Sequence, residues 1–394
     1  MILELRFSNF YSVADEAVIS FEMGKKPTHS GYDIFLANGD RVNKAIAVVG
    51  ANGAGKTQLV KAFAFLNWFT TDSFLAGNGD SSIPYAAHSL HKDKPTVFSL
   101  RFLVADEEYK YEVSLHNNKV LKEALYQKTS KYFSYVFVRE STEQGYRVKQ
   151  QAFGFPSAQA QTLRANASLL AAAQSYGVLA AHPVLAVINR TNHNLNVTGR
   201  HYFQPQNVLE RARYYYDLPE LSERMNAAIC EFDLGIAEVS IRKMEQTNPN
   251  GEVETLYLPV ALHKAGDRVF ELPFLQESTG TQSAFVLLSR VLPVLMNGGL
   301  AVIDEIDNDL HPHMLPKLLD WFRFEHTNPH EAQIIFTCHT PEVINLLSKH
   351  QVYLVEKEEQ CTQTWRLDEV KGVRADDNLY AKYMAGALSA VPNF

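Results

Sequence analysis

The chain has 394 residues, 46% of them hydrophobic, and a formal net charge of −7. This length accommodates two or three domain-sized units, and the apolar content supports a sizeable core, which excludes bulk disorder. The acidic balance speaks against a protein that coats nucleic acid, while leaving room for a local basic patch.

Leu3, Leu5 and Phe7 alternate with Glu4 and Arg6, which predicts an opening strand rather than the apolar core of a signal peptide. Residues 17–21 predict a second strand. Residues 45–49 form an apolar run that reads as a buried strand. It leads into Gly50-Ala51-Asn52-Gly53-Ala54-Gly55-Lys56-Thr57, the phosphate-binding pattern G-x-x-x-x-G-K-[ST]. A helix over 58–68 follows, apolar at Leu59, Phe63 and Leu66. Strand, glycine loop and helix form the setting that this motif needs. The glycines let backbone N–H groups turn inward around phosphate oxygens, and the helix start favours an anion. Lys56 is placed to reach the β- and γ-phosphates, and Thr57 to ligate Mg²⁺.

Strands at 97–102 and 109–113 flank a turn expected at Asp106-Glu107-Glu108. Residues 158–190 are rich in alanine and leucine. Residues 207–232 show helical spacing through Leu209, Ala212, Leu218, Leu221 and Met225. A helical lobe is therefore expected over 155–235, inserted into the main fold. Strands return at 236–242 and 256–263, with a turn at Asn248-Pro249-Asn250-Gly251 between them.

Ser278-Thr279-Gly280-Thr281-Gln282 opens a helix through Phe285, Leu288 and Leu292. Ser278 reads as its N-cap. The same hydroxyl, with Gly280 and the helix start, also suits contact with a γ-phosphate. Residues 300–303 are wholly apolar, as in a central parallel strand, and Asp304-Glu305 ends them. One carboxylate there can hold Mg²⁺ while the next orients or deprotonates an attacking water; alternatively the pair caps the next helix. Leu315, Leu318, Leu319 and Phe322 predict that helix, with Pro316 in its first turn. A strand at 333–337 completes a βαβ unit, and His339 follows it. His339 is either a loop histidine or a donor to a γ-phosphate. His311 and His313 have no evident third ligand and do not read as a metal site. Cys230, Cys338 and Cys361 are widely spaced and form neither a metal nor a disulfide pattern, as suits a reducing compartment. No apolar run reaches the length of a membrane span, so a cytoplasmic protein without a membrane partner is expected.

This order of motifs resembles the ABC-type ATPases, and within them the soluble recombination and SMC-like branch. Leu5-Arg6-Phe7-Ser8-Asn9-Phe10-Tyr11-Ser12 resembles that branch's opening strand, and Glu277-Ser278-Thr279-Gly280-Thr281 its signature motif. Ile306-Asp307-Asn308-Asp309-Leu310-His311-Pro312 resembles its D-loop region, Asn308 to His311 being the D-loop itself. The ending, Tyr383-Met384-Ala385-Gly386 through Ala390-Val391-Pro392, resembles prokaryotic abortive-infection and anti-phage ATPases of the AAA15/AAA21 type.

The resemblance implies an α/β fold: a P-loop NTPase built as an ABC-ATPase head, with a β-rich N-terminal subdomain and an inserted helical lobe. Residues 1–154 would carry the phosphate loop, 155–235 the lobe, and 236–394 the signature, the carboxylates, the D-loop and the switch histidine. It implies hydrolysis of ATP to ADP and phosphate, with Mg²⁺. Two protomers would pack head to tail. ATP held by Gly50, Asn52, Gly53, Ala54, Gly55, Lys56 and Thr57 of one would meet Ser278 and Gly280 of the other. Thr57 and Asp304 would hold Mg²⁺, Glu305 would be the catalytic carboxylate, His339 would sense the γ-phosphate, and Asn308 would join the nucleotide contacts. The Q-loop glutamine departs from the family pattern; Gln174 is the best match and Gln127 a weaker one. The implied role is a homodimer, or an oligomer of such dimers, that switches a separately encoded nuclease or toxin effector. Rival readings are a repair ATPase that binds nucleic acid when ATP is bound, a scaffold with little turnover, and a transporter ATPase subunit, which the strand-rich N-terminus disfavours.

Overall fold

The computed structural model describes residues 1–23, 29–232, 235–247, 253–310, 313–374 and 377–388. At its centre is a six-stranded sheet. Its strand order is Thr191–His193, Leu300–Ile303, Gln333–Cys338, Ala45–Gly50, Val352–Glu358, Cys361–Arg366. The first five strands run parallel and the last is antiparallel. Ala45–Gly50, Leu300–Ile303 and Gln333–Cys338 are buried along their whole length, because both faces of the sheet are covered. Successive side chains therefore enter different cores. Ile46 and Val48 pack with the helix Lys56–Thr71, while Ala45, Ala47 and Val49 pack with the helices Thr279–Asn297 and Met314–Arg323.

The N-terminal part contributes a seven-stranded antiparallel sheet running from Gly145–Gln150 at one edge to Ala17–Ser20 at the other. It is fastened to Lys56–Thr71 by aromatic rings: Phe65 lies 5.0 Å from Phe98 and 5.8 Å from Phe10, centroid to centroid. In this sheet Val104 faces Glu107, so Ala105 and Asp106 make the hairpin turn and the expected turn residues Glu107 and Glu108 lie in the strand. Arg101 draws Glu108 into the ladder, with Nη2 2.6 Å from its carboxylate.

The 155–235 stretch is not helical throughout. Ser157–Thr162, Leu169–Ser175 and His182–Ile188 are followed by Thr191–His193, an edge strand of the central sheet, and by a small hairpin of Leu195–Asn196 with Gly199–Arg200. Only then come the longer helices Pro205–Asp217 and Pro219–Phe232. The earlier helices join the core under the phosphate-loop helix, and the later two join the core around Thr279–Asn297. Pro219 ends one helix and opens the next, so a single periodicity does not run through 207–232. Leu218 is consequently exposed, and Val208, Ala212 and Tyr215 form the buried face of the first helix.

Ile236–Thr247, Val253–Ala265 and Arg268–Pro273 form a three-stranded antiparallel sheet that leads into the helix Thr279–Asn297. The turn expected at 248–251, His311 and Pro312 of the D-loop region, and residues 390–392 of the ending lie outside the described residues. Among the described residues, no helix is long and apolar enough to cross a membrane.

Candidate functional site

The parallel strands Ala45–Gly50, Leu300–Ile303 and Gln333–Cys338 deliver the phosphate loop, Asp304-Glu305 and His339 to one end of the sheet. The loop is pressed against the neighbouring hairpin. A Cβ on Gly50 would lie 2.2 Å from the Val355 carbonyl oxygen, and one on Gly55, whose φ is +107°, would lie 2.0 Å from Thr362 Oγ1. Only glycine fits either position. The Thr362 hydroxyl donates to the Ala54 carbonyl at 2.9 Å and meets the Ser12 hydroxyl at 2.8 Å, which ties the loop to the connection between the strands Ile2–Ser8 and Ala17–Ser20.

Lys56 begins the helix and folds its ammonium over the loop, donating to the carbonyls of Gly50 at 2.8 Å and Ala51 at 3.1 Å. Its third contact is His339 Nδ1 at 3.2 Å. Burial lowers its pKa, opposed by the negative charges of Asp304, Asp307 and Glu305. An ammonium only donates, so Nδ1 of His339 accepts and Nε2 carries the proton. That Nε2 lies 3.2 Å from Glu305 Oε1. Lys56, His339 and Glu305 thus form one chain of contacts across the site.

Asp304 is fully buried. Its carboxylate accepts from Thr57 Oγ1 at 2.9 Å and from Thr337 Oγ1 at 2.7 Å. Burial raises its pKa, and those two hydroxyls oppose the rise. Its backbone is clamped by Asn194, whose amide donates to the Asp304 carbonyl at 2.9 Å and accepts from the Asp304 N–H at 2.8 Å. Glu305 has φ 51° and ψ 56°, a left-handed conformation that side-chain-bearing residues rarely adopt. Its N–H donates to Thr337 Oγ1 at 2.6 Å, so one threonine hydroxyl serves both carboxylate residues.

The Glu305 carboxylate is also met by Arg200 Nη1 at 3.0 Å and Asn308 Nδ2 at 2.8 Å. Burial alone would raise its pKa; His339 and Arg200 outweigh burial and lower it. Arg200 in turn reaches Asp309 at 2.6 Å. Asp307 accepts from the N–H groups of His339 and Thr340, both at 3.0 Å, and so shapes the turn that presents the histidine. A cavity of about 620 Å³ opens on Thr57, Gln58, Asn196, Arg200, Asp304 and Glu305.

The structure therefore brings together the loop residues Gly50, Asn52, Gly53, Ala54, Gly55, Lys56 and Thr57 with Asp304, Glu305, Asn308 and His339. Ser278 and Gly280 lie exposed at the start of Thr279–Asn297, where Ser278 Oγ accepts from the Thr281 N–H at 3.1 Å as an N-cap. Gln174 does not join the cluster. It is exposed near the end of Leu169–Ser175, and Tyr176 two residues on packs 6.1 Å from Phe74, beyond the far end of Lys56–Thr71. A helix of that length separates it from Lys56 by about 24 Å. Gln127 lies in Lys119–Lys128 of the N-terminal sheet and donates to Glu107. The segment after Thr191–His193 supplies Asn194, Asn196 and Arg200 to the site instead.

The Thr57 hydroxyl and the Asp304 carboxylate are hard oxygen donors side by side, a set that suits Mg²⁺. His311 lies outside the described residues, so the histidine pair at 311 and 313 has no described geometry.

A family model described as "AAA domain, putative AbiEii toxin, Type IV TA system" matches residues 45–345. None of the curated proteins matches the chain. Among solved structures, an Smc head bound to the C-winged helix domain of ScpA aligns over 92% of this chain and 96% of its own, with a TM-score of 0.50 and 12% identity. The SMC head domain from Thermotoga maritima aligns over 93% and 98%, with a TM-score of 0.43 and 13% identity. The Smc head domain with a coiled coil and joint from Pyrococcus yayanosii aligns over 98% and 99%, with a TM-score of 0.46 and 11% identity.

Proposed function

The chain belongs to the AAA-domain family with AbiEii-type members, on the α/β fold of an SMC-like ABC-ATPase head, and from this premise we propose that it is an ATP-hydrolysing switch. Lys56 would exchange the carbonyls of its own loop for the β- and γ-phosphate oxygens, while the loop N–H groups bind the remaining charge. Thr57 and Asp304 would hold Mg²⁺, which when bound neutralises charge on the phosphates. Glu305 would orient the attacking water and accept its proton. His339 would carry the state of the γ-phosphate between Lys56 and Glu305. Asn308 would hold Glu305 in place.

The observation that carries this reading is the contact chain Lys56–His339–Glu305 beside the Thr57–Asp304 pair. It sets an ammonium, an imidazole and a carboxylate within reach of one point, the groups that phosphate binding, proton donation and water activation would need. We further propose that ATP joins two copies head to tail, with the exposed Ser278–Gly280 turn of one chain closing the site of the other. The γ-phosphate would then favour the closed dimer, and hydrolysis would release it. A separately encoded effector, a nuclease or toxin, would read that change in an anti-phage setting; the family description itself names a putative toxin and a type IV TA system.

The test compares wild type with Glu305→Gln. The wild type should hydrolyse Mg·ATP; the variant should bind it, turn over at least about a hundredfold more slowly, and accumulate as dimers in light scattering. A monomeric, fully active variant would overturn the role given to Glu305.

A further inference from the structure

Beside the catalytic cavity lies a second one of about 250 Å³, enclosed by the helices Pro205–Asp217 and Thr279–Asn297 and the chain around 194–203. Arg211 and Arg290 converge on it from the two helices, and Asn194 and Ser283 add polar groups to its wall. Among the described residues, neither guanidinium has a hydrogen-bond or ion-pair partner, and Nε of Arg211 is completely buried without one. Two carboxylates are near. Asp309 is already held by Arg200 at 2.6 Å, and Glu210 is exposed. Burial first, and then repulsion from Arg211, pushes the Arg290 pKa down to about 10. The charge of exposed Glu210 offsets only part of this, and two partly buried like charges are costly unless an anion joins them.

We propose that this cavity is an oxyanion site that takes inorganic phosphate between Arg211 and Arg290. A tetrahedral dianion presents oxygens to both guanidinium forks at once, which a single carboxylate does not. The catalytic cavity and this one share His201 and Asn207 in their walls. Phosphate can therefore come from solution or from cleavage next door. Occupancy is wired to the catalytic carboxylates by two residues of the same wall: Asn194 clamps the Asp304 backbone, and Asp309 holds the arginine that pairs with Glu305. Phosphate binding itself does not depend on the ATPase reading.

The test uses the full-length protein, with phosphate titrated calorimetrically and by thermal melting against chloride at equal ionic strength. Wild type should show two saturable phosphate sites, one at the phosphate loop and one here. Lys56→Ala should lose the first and keep the second. Arg290→Gln and Arg211→Gln should each weaken the second by about tenfold or more and leave the first. In chloride these two variants should melt no lower than wild type, because a repulsion has been removed; in phosphate they should gain less. Should one of them fail to fold, the other carries the same comparison. Arginine variants that bind and melt in phosphate like wild type, or a Lys56→Ala protein that binds no phosphate, would overturn the proposal. Slow or absent ATP turnover with the second site intact would sink the enzyme reading alone.

Discussion

Thr337 does more for the carboxylate pair than its position inside a buried strand announces. Its single hydroxyl donates to Asp304 and accepts from the strained Glu305 backbone. Left-handed backbone costs a non-glycine residue about 1–2 kcal/mol, and a hydrogen bond of this kind offsets about 1 kcal/mol. Thr337→Val keeps the shape and removes both contacts. ATP turnover should fall about ten- to a hundredfold, with nucleotide affinity changed by less than about threefold, because Lys56 and the loop are untouched. Steady-state kinetics with a nucleotide-binding titration checks this; an unchanged turnover number would mean that Glu305 holds its geometry without the threonine. The residues legible in the sequence were those whose chemistry is fixed by spacing: the glycine loop with Lys56 and Thr57, the carboxylates closing an apolar strand, and His339 closing the next. Thr337, Asn194, Arg200 and Asp307 were not legible, because they act through side-chain contacts between segments far apart in the chain. Thr337 stands two residues before His339, and Asp307 stands inside the stretch that resembles the D-loop region; that proximity was the available signal. Arg200 is brought in by a hairpin that no local pattern announces.

At the level of elements, the phosphate loop depends on the hairpin of Val352–Glu358 and Cys361–Arg366 that flanks it. Gly55→Ala combines a positive φ with a contact 2.0 Å from Thr362 Oγ1. It should reduce nucleotide affinity by about tenfold or more while melting within a few degrees of wild type, since the strain is confined to the loop. The hairpin is anchored at its other end by Asp368, which lies 2.6 Å from Arg366 and 2.8 Å from His350. Arg366 also donates to the Glu22 carbonyl at 2.7 Å. Burial would raise the Asp368 pKa, but His350 and Arg366 bring it from 3.8 down to about 2. A depressed carboxylate pKa stabilises the fold above the unfolded value and loses that contribution as pH falls through the folded value. Allowing for partial exposure, the contribution is about 1–2 kcal/mol. The stability advantage of wild type over Asp368→Asn should therefore be constant from neutral pH to about pH 5, shrink below pH 4 and vanish near pH 2. Urea unfolding at stepped pH measures it, and a gap that stays constant down to pH 2 would contradict the pairing. The central strands could be read from sequence because burial on both faces leaves unbroken apolar runs. Thr191–His193 could not: it is three residues long, polar, and defined only by its pairing with Leu300–Ile303. The helices on either side of it carry enough alanine and leucine to make 155–235 look continuous.

For the molecule as a whole, the decisive question is whether one chain can complete the site by itself. Lys56, Thr57, Asp304, Glu305 and His339 converge, whereas Ser278 and Gly280 face solvent at the start of another helix. If the site is shared head to tail, damage to the two halves must complement. In a dimer of one Lys56→Ala chain and one Ser278→Arg chain, one site receives both lesions and the other receives none. Each variant alone should be inactive, since all of its sites carry one lesion. Random pairing in an equimolar mixture makes half of the dimers mixed, each with one of its two sites whole. The mixture should therefore recover about a quarter of wild-type turnover per chain, and titrating one variant into the other should pass through a maximum at equal amounts. A site complete within one chain predicts mixtures no more active than the sum of the two variants measured alone at every ratio, and that result would overturn the head-to-tail dimer while leaving the phosphate loop and its carboxylates in place. The measurement needs only ATP turnover on mixed proteins, so it decides the assembly without reference to any other partner.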